Sequence, residues 1–478
     1  MSFFRRKLFS QINHPQHDSQ LIRSLRWPHL IALGIGAIIG TGIYTLIGVG
    51  VNLAGPGLLL SFLVAGVICA CTALAYAELS TMIPVAGSTY TYTYLTLGEP
   101  IAWIVGWSLI LEYTLVVSTV AVGWSGYVVG FLSWIEQSTG IHCTLPKAWT
   151  AGPHAGGIVN VPAILISFLI AAILINGTRK SATLNLVLVA IKLAALGLFI
   201  VVTLPYFKHA HFVPLMPYGF SQHLGQDHVK RGVMAAAAIV FFAFYGFDAI
   251  STAAEETQDP KRNLTIGIIG SMAACTLIYI GVCAAAIGAV PFQVFGTSTE
   301  PLAVILRYIH QDWAAVISSV SAVIALPTVI FAFMYGQTRM FFVMSRDGLL
   351  PRRLAKVNKK TGTPVIVTLL TAVFVAILAG LVPLGEVAAL ANTGTLVAFT
   401  SVSVCMLVLR VTQPQRPRLF RTPMAWLVGP VAIAGCIYLF LNLPTQTQLW
   451  FVKWNSIGLI VYLIYGRWHS ELRRQVVE

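Results

Sequence analysis

Long apolar runs constrain this chain more than any other feature. Leu58 to Leu74 carries no charged residue and Thr183 to Leu204 carries one. About 20 such residues in a helix cross the roughly 30 Å hydrocarbon core of a bilayer. Backbone polar groups have no water to bind there, so the runs predict helices that satisfy their own hydrogen bonds. Of the 478 residues, 57% are hydrophobic and 10% charged, against about 25% charged in soluble domains. A soluble fold is excluded. A soluble enzyme is disfavoured as well: no catalytic Ser/His/Asp set, metal cluster or nucleotide loop stands out, and the histidines fall mostly in loops.

Apolar windows predict an all-α polytopic membrane protein. Twelve transmembrane helices lie near 28–50, 56–76, 101–132, 161–175, 182–204, 232–253, 265–290, 313–343, 364–383, 387–410, 424–442 and 450–466. The net charge of +14 reads as an orientation signal. Most cations fall on one side of the predicted membrane: Arg5, Arg6, Lys7, Arg23 and Arg26, then Arg179, Lys180, Lys261 and Arg262, then Arg346, Arg352, Arg353, Lys356, Lys359 and Lys360, then Arg410, Arg416, Arg418 and Arg421, then Arg467, Arg473 and Arg474. Opposite loops hold Lys147, Lys208, Lys230, Arg231, Arg307 and Lys453. By the positive-inside rule both termini are cytoplasmic, and no nucleic-acid partner is expected. The connection between spans 2 and 3, with Glu78 and Glu99 and no cation, is silent on orientation. The polar start of the chain is not followed by a cleavable signal. The seven cysteines are scattered without metal-like spacing. The sequons at Asn176 and Asn263 fall in predicted cytoplasmic segments, where no glycan is expected.

Span 1 contains Gly34-Ile-Gly36-Ala-Ile-Ile-Gly40-Thr41-Gly42-Ile43-Tyr44. Glycine weakens a helix most in its interior, and an interrupted helix is tolerated in the membrane only where it lines a cavity or is satisfied by protein. Freed N–H groups at the start of the second half suit a carboxylate, and carbonyls ending the first half suit an ammonium. Close packing through Gly36-xxx-Gly40 is the plain alternative. Span 6 has a second candidate break at Phe241-Phe-Ala-Phe-Tyr245-Gly246-Phe247-Asp248. The odd offset of five makes the two broken helices cross in opposite directions, as an inverted repeat requires. Its aromatics either close over a small substrate or simply pack, and Asp248 is a coupling acid or a helix-end partner. Lys192 lies mid-span in span 5, where a charge costs about 2.5–3.5 kcal/mol. It is either a switching amine or a static cross-link. Glu112 in span 3 is the other deep charge; it balances Lys192, meets water or joins helices.

These motifs, with Ala77-Glu78-Leu79-Ser80-Thr-Met-Ile-Pro84-Val-Ala-Gly87-Ser-Thr-Tyr90 and Ser345-Arg346-Asp347-Gly348-Leu349-Leu350-Pro351, resemble the cationic amino-acid transporter family of the amino acid, polyamine and organocation superfamily. The resemblance implies a five-plus-five inverted repeat, residues 27–204 and 230–410. Two C-terminal helices follow within 424–466, and cytoplasmic tails occupy 1–26 and 467–478. It implies a substrate carboxylate at Thr41 and Gly42, and an α-amino group on carbonyls of Ile38, Phe242, Ala243 and Tyr245, with Phe242 as a lid. Leu326, beside Pro327, matches the side-chain pocket position. Lys192 matches the span 5 lysine that, in proton-coupled relatives, stands where sodium-coupled ones bind a cation. The expectation is proton-coupled uptake of small neutral L-amino acids across the cell (plasma or inner) membrane, since an apolar Leu326 suits a neutral side chain. A cationic or polyamine exchanger and a non-transporting receptor on the same fold are the alternatives. No cofactor or metal is expected, the proton serves as coupling ion, and an accessory small membrane protein is left open.

Overall fold

The computed structural model describes residues 25–83, 88–176, 182–225, 227, 229–252, 257–356, 358 and 363–473. The basic positions Arg5, Arg6, Lys7, Arg23, Arg179, Lys180, Lys359, Lys360 and Arg474, and the Pro84 to Gly87 part of the span 2 motif, lie outside the described residues.

The first apolar run is divided into α1 (Trp27–Ile38), α2 (Thr41–Tyr44) and α3 (Leu46–Ala54), and α4 (Leu58–Met82) returns. Next come a short buried helix α5 (Ser88–Thr96), the long α6 (Glu99–Thr139), a single turn α7 (Lys147–Thr150), α8 (Val161–Ile175) and α9 (Ala182–Thr203). The sixth run is again divided, into α10 (Val233–Val240), a 3₁₀ turn Phe241–Phe244 and α11 (Asp248–Thr252). The chain continues through α12 (Pro260–Ala289), α13 (Pro301–Tyr308), α14 (Asp312–Arg346), α15 (Val365–Leu381), α16 (Leu384–Thr412), α17 (Ala425–Asn442) and α18 (Thr445–Val461). A two-residue antiparallel pair, β1 (His223–Leu224) and β2 (Lys230–Arg231), is a small departure from the expected all-α fold.

Among the described residues eight helical stretches are long and apolar enough to cross a membrane. Four shorter apolar helices accompany them: Trp27–Ile38, Val161–Ile175, Val233–Phe244 and Val365–Leu381. Two of the four are short because the backbone is interrupted. The protein is a polytopic helical membrane protein. The divided helices lie at its centre: α1 packs on α9 and α12, α10 on α3 and α4, and α6 on α14 and α16.

Pro327 sits inside α14 without ending it. Proline lacks the N–H that would bind the carbonyl four residues back. That carbonyl, of Val323, instead accepts the indole N–H of Trp124 on α6 at 2.9 Å.

The structure corrects the expectation for the connection between spans 2 and 3. Glu78 lies within α4 and Glu99 opens α6, and both are buried. Glu78 accepts from Arg410 Nε at 3.0 Å, Arg410 Nη2 at 2.6 Å, Arg418 Nε at 3.1 Å and the Thr422 amide at 2.8 Å. Glu99 accepts hydroxyls of Tyr94, Tyr462 and Ser470 at 3.1, 3.0 and 2.5 Å. Local hydropathy reads an acid as a loop; here partners hundreds of residues away allow it to be buried. Asn263 is likewise buried, near the start of α12, and accepts the Trp27 amide at 3.2 Å. At the other end of the bundle, Glu300 at the head of α13 takes Arg307 at 2.5 Å. Burial raises the Glu300 carboxyl above its usual range, with Arg307 opposing.

Candidate functional site

The interruption between α1 and α2 falls at Ile39 and Gly40, the latter with φ −147° and ψ −146°. An ended helix leaves carbonyls without intrahelical donors, and in this membrane-embedded core other side chains supply them. Lys192 on α9 donates through Nζ to the carbonyls of Gly36 at 2.9 Å and Ile39 at 3.0 Å. Lys192 is 1% exposed, so these bonds replace water for a charge that is costly to bury. Tyr127 on α6 donates to the Tyr44 carbonyl at 2.6 Å, where α2 gives way to α3. The hydroxyls of Thr41 and Thr45 are fully buried and have no hydrogen-bond partner among the described residues.

The second interruption meets the first. A Cβ on Gly42 would lie 2.4 Å from the Ala243 Cα, so only glycine lets α2 rest on the 3₁₀ turn. Gly246 has φ +106°, a conformation glycine adopts freely, and its Cα abuts the Ala37 backbone. Tyr279 on α12 bridges the two breaks, its hydroxyl 3.0 Å from the Ile38 carbonyl and 2.8 Å from that of Ala243. It has one proton to give, so two of the four carbonyls expected to take an ammonium share this hydroxyl. Phe242 and Tyr245 are buried neighbours with ring centroids 5.0 Å apart. The Tyr245 amide is 3.4 Å from the Phe242 carbonyl, and its hydroxyl donates to Asn392 Oδ1 on α16. The same asparagine donates from Nδ2 to the carbonyls of Ala238 at 2.6 Å and Ile239 at 3.0 Å.

Leu326 is fully buried on α14. Three residues on, and so on the same helical face, Val329 lies 3.4 Å from where a Gly40 Cβ would be. Ile38, Thr41, Gly42, Phe242, Ala243 and Tyr245 are thus gathered around the two breaks, with Leu326 on the face of α14 that approaches them. Glu112 is buried on α6 where Gly394 of α16 packs against it, and its Oε2 has no hydrogen-bond partner among the described residues. Asp248 opens α11 beyond the second break and is partly buried.

Two interrupted helices thus meet at one buried point, with side chains from α9, α12 and α16 holding carbonyls at their ends. A family model described as amino acid permease matches residues 25–465. The chain belongs to the amino acid permease family. Among its relatives, a branched-chain amino acid permease of Bacillus subtilis is 45% identical over 99% of this chain and 99% of its own length. A methylthioribose transporter of the same organism is 40% identical over 99% of this chain and 100% of its own. A vacuolar cationic amino acid transporter of Arabidopsis thaliana is 36% identical over 86% of this chain and 64% of its own length. In this permease, Tyr127, Tyr279 and Asn392 complete the breaks and escape sequence reasoning. A lone Tyr or Asn in an apolar run marks a buried polar group but does not say which carbonyl it meets. Asn392 carried the one usable signal, a side-chain amide deep in the tenth apolar run.

Proposed function

We propose that the protein is a secondary active transporter that imports neutral L-amino acids by alternating access, driven by the proton gradient. The observation that carries this reading is the meeting of the two helix interruptions at one buried point, with the Lys192 amine on the carbonyls of the first. An amino acid offers a carboxylate to helix-start amides and an ammonium to freed carbonyls. The carboxylate goes to Thr41 and Gly42, where the unpartnered Thr41 hydroxyl supports the reading. The ammonium goes to carbonyls of Ile38, Phe242, Ala243 and Tyr245, and Phe242 covers the substrate. Apolar Leu326 supports a neutral side chain. The full-length likeness to a permease named for branched-chain amino acids puts leucine, isoleucine and valine first among the candidates.

Lys192 carries the coupling proton, with Glu112 and Asp248 as further candidates. The helices make twelve spans, the repeats being 27–204 and 230–410 with α17 and α18 added, and both termini face the cytoplasm from the plasma membrane. Transport rather than catalysis is the activity. The full-length likeness to a protein named for methylthioribose, which lacks an ammonium, makes that sugar the second substrate to test.

Uptake of labelled leucine into proteoliposomes, inside alkaline, with competition by valine, alanine, arginine and methylthioribose, tests the reading. Accumulation blocked by valine but not by arginine is expected. Block by arginine alone would move the substrate to the cationic class, block by methylthioribose alone to the sugar. Binding without accumulation would make the protein a receptor.

A further inference from the structure

The carbonyls ending α1 and those ending α10 are held in matching ways. Lys192 on α9 reaches the Gly36 and Ile39 carbonyls at 2.9 and 3.0 Å, around the end of α1 at Ile38. Asn392 on α16 reaches the Ala238 and Ile239 carbonyls at 2.6 and 3.0 Å, just before the end of α10 at Val240. Counting α1–α3 as one divided helix and α10–α11 as another, and leaving out the short α5, α7 and α13, the two broken helices are five helices apart, and so are α9 and α16. An inverted repeat of five helices has this offset. The two interruptions are therefore braced from equivalent places by different chemistry. One brace is an amine that can lose its proton. The other is an amide that cannot.

We propose that Asn392 is the positioning residue of the second interruption, the non-titrating counterpart of Lys192. It fixes the turn that presents the Phe242 to Tyr245 carbonyls to the substrate ammonium. This rests on the transport reading above. Its side chain makes three hydrogen bonds: both amide protons go to carbonyls of α10, and Oδ1 accepts the Tyr245 hydroxyl. Tyr245 is thereby tied at both ends, its backbone in the turn after Phe244 and its hydroxyl on α16. Asn392 is fully buried, and α16 is itself seated on α6, where the backbone of Gly394 meets Ser108 and Glu112. A fixed brace beside the second break and a switching brace beside the first divide the labour: one holds the substrate geometry while the other senses the proton.

The division makes the two braces separable by experiment. Proteoliposome uptake of leucine is measured across external pH for wild type, Asn392→Leu, Tyr245→Phe, their double variant and Lys192→Met, each checked for monodispersity before reconstitution. Asn392→Leu should raise KM about tenfold, the factor carried by a lost buried hydrogen bond of ordinary strength, and leave the pH profile in place. Glu112, the titratable group on α6 facing α16, is unaltered in that variant. Tyr245→Phe should raise KM in the same direction by a smaller factor. The double variant should be no worse than Asn392→Leu alone, because both remove the same bond. Lys192→Met should do the reverse, changing the pH profile. Should Asn392→Leu not survive purification, Tyr245→Phe decides: a raised KM with an unmoved pH profile supports the proposal, and an unchanged KM overturns it. A KM within twofold of wild type for Asn392→Leu, a pH profile displaced as in Lys192→Met, or multiplying effects in the double variant would each overturn it. A wild type that accumulates nothing would fail the transport reading instead.

Discussion

Gly42 has no room for a side chain because its Cα rests on Ala243, with a built Cβ falling 2.4 Å from one backbone atom and 3.2 Å from another. The expected harm from Gly42→Val is therefore larger than crowding of a bound carboxylate. The valine must push α2 off the 3₁₀ turn and separate the two breaks. Labelled leucine should show no saturable binding to the purified variant, while Phe242→Ala, which only removes a covering ring, should weaken binding without abolishing it. Wild-type affinity in a well-folded Val variant would show that the breaks need not touch. Lys192 answers to a different measurement. Replacing it with Met keeps the stem but leaves the Gly36 and Ile39 carbonyls without their donor and takes away a titrating group. Exchange should persist at a reduced rate, and accumulation driven by an inside-alkaline gradient should disappear. A Met variant that concentrates leucine as wild type does would pass the coupling role to Glu112.

The helices around the breaks are locked at one end by buried charge. Glu78 holds Arg410 of α16 and Arg418 of the following loop with one carboxylate, 1% exposed at its side chain. Removing one member of a buried ion pair typically costs about 3–5 kcal/mol, because the remaining charges are left unpaired. Glu78→Ala should accordingly lower the thermal unfolding midpoint of the detergent-solubilised protein by several degrees, far more than Arg352→Ala. Arg352 meets Glu471 at 3.1 Å with both side chains largely exposed, a setting where pairs contribute about 0–1 kcal/mol. Equal shifts for the two variants would mean that the α4–α16 lock does not bear on stability. The indole stack of Trp103, Trp107 and Trp454, with reciprocal N–H bonds between Trp107 and Trp454 at 2.9 and 3.0 Å, fastens α18 to α6.

For the whole molecule, the loop after α14 and the end of the chain lie together: the Glu471 amide donates to the Asp347 carbonyl at 3.1 Å. Arg346, Arg352, Arg353 and Lys356 at and after the end of α14 then share a side with Arg467 and Arg473, and the positive-inside rule predicts that side to be the cytoplasm. Cys143, partly exposed in the segment between α6 and α7, provides an internal control on the opposite face. A membrane-impermeant thiol reagent applied to intact cells should label wild type at Cys143. It should reach Arg353→Cys, on a background where Cys143 is serine, only after the membrane is opened. Labelling of that cysteine in sealed cells would invert the topology.

Local pattern alone carried a good part of this molecule. Apolar runs of bilayer length need no long-range information, four glycines in nine residues weaken a helix wherever it packs, and a lysine in the middle of an apolar run must have a partner. Thus the helical class, the two interruptions and the need of Lys192 for buried partners are legible in the residues. What each polar group meets is not. Glu78 and Glu99 read as loop acids because their partners lie far along the chain; Tyr279 gives no signal, and Asn392 marks a buried amide without naming its partner, until folding sets both against freed carbonyls. A buried polar group is tolerated only through a partner, and which partner it finds is a property of how the helices cross. That is why the tertiary structure alone decided how the two breaks are held together.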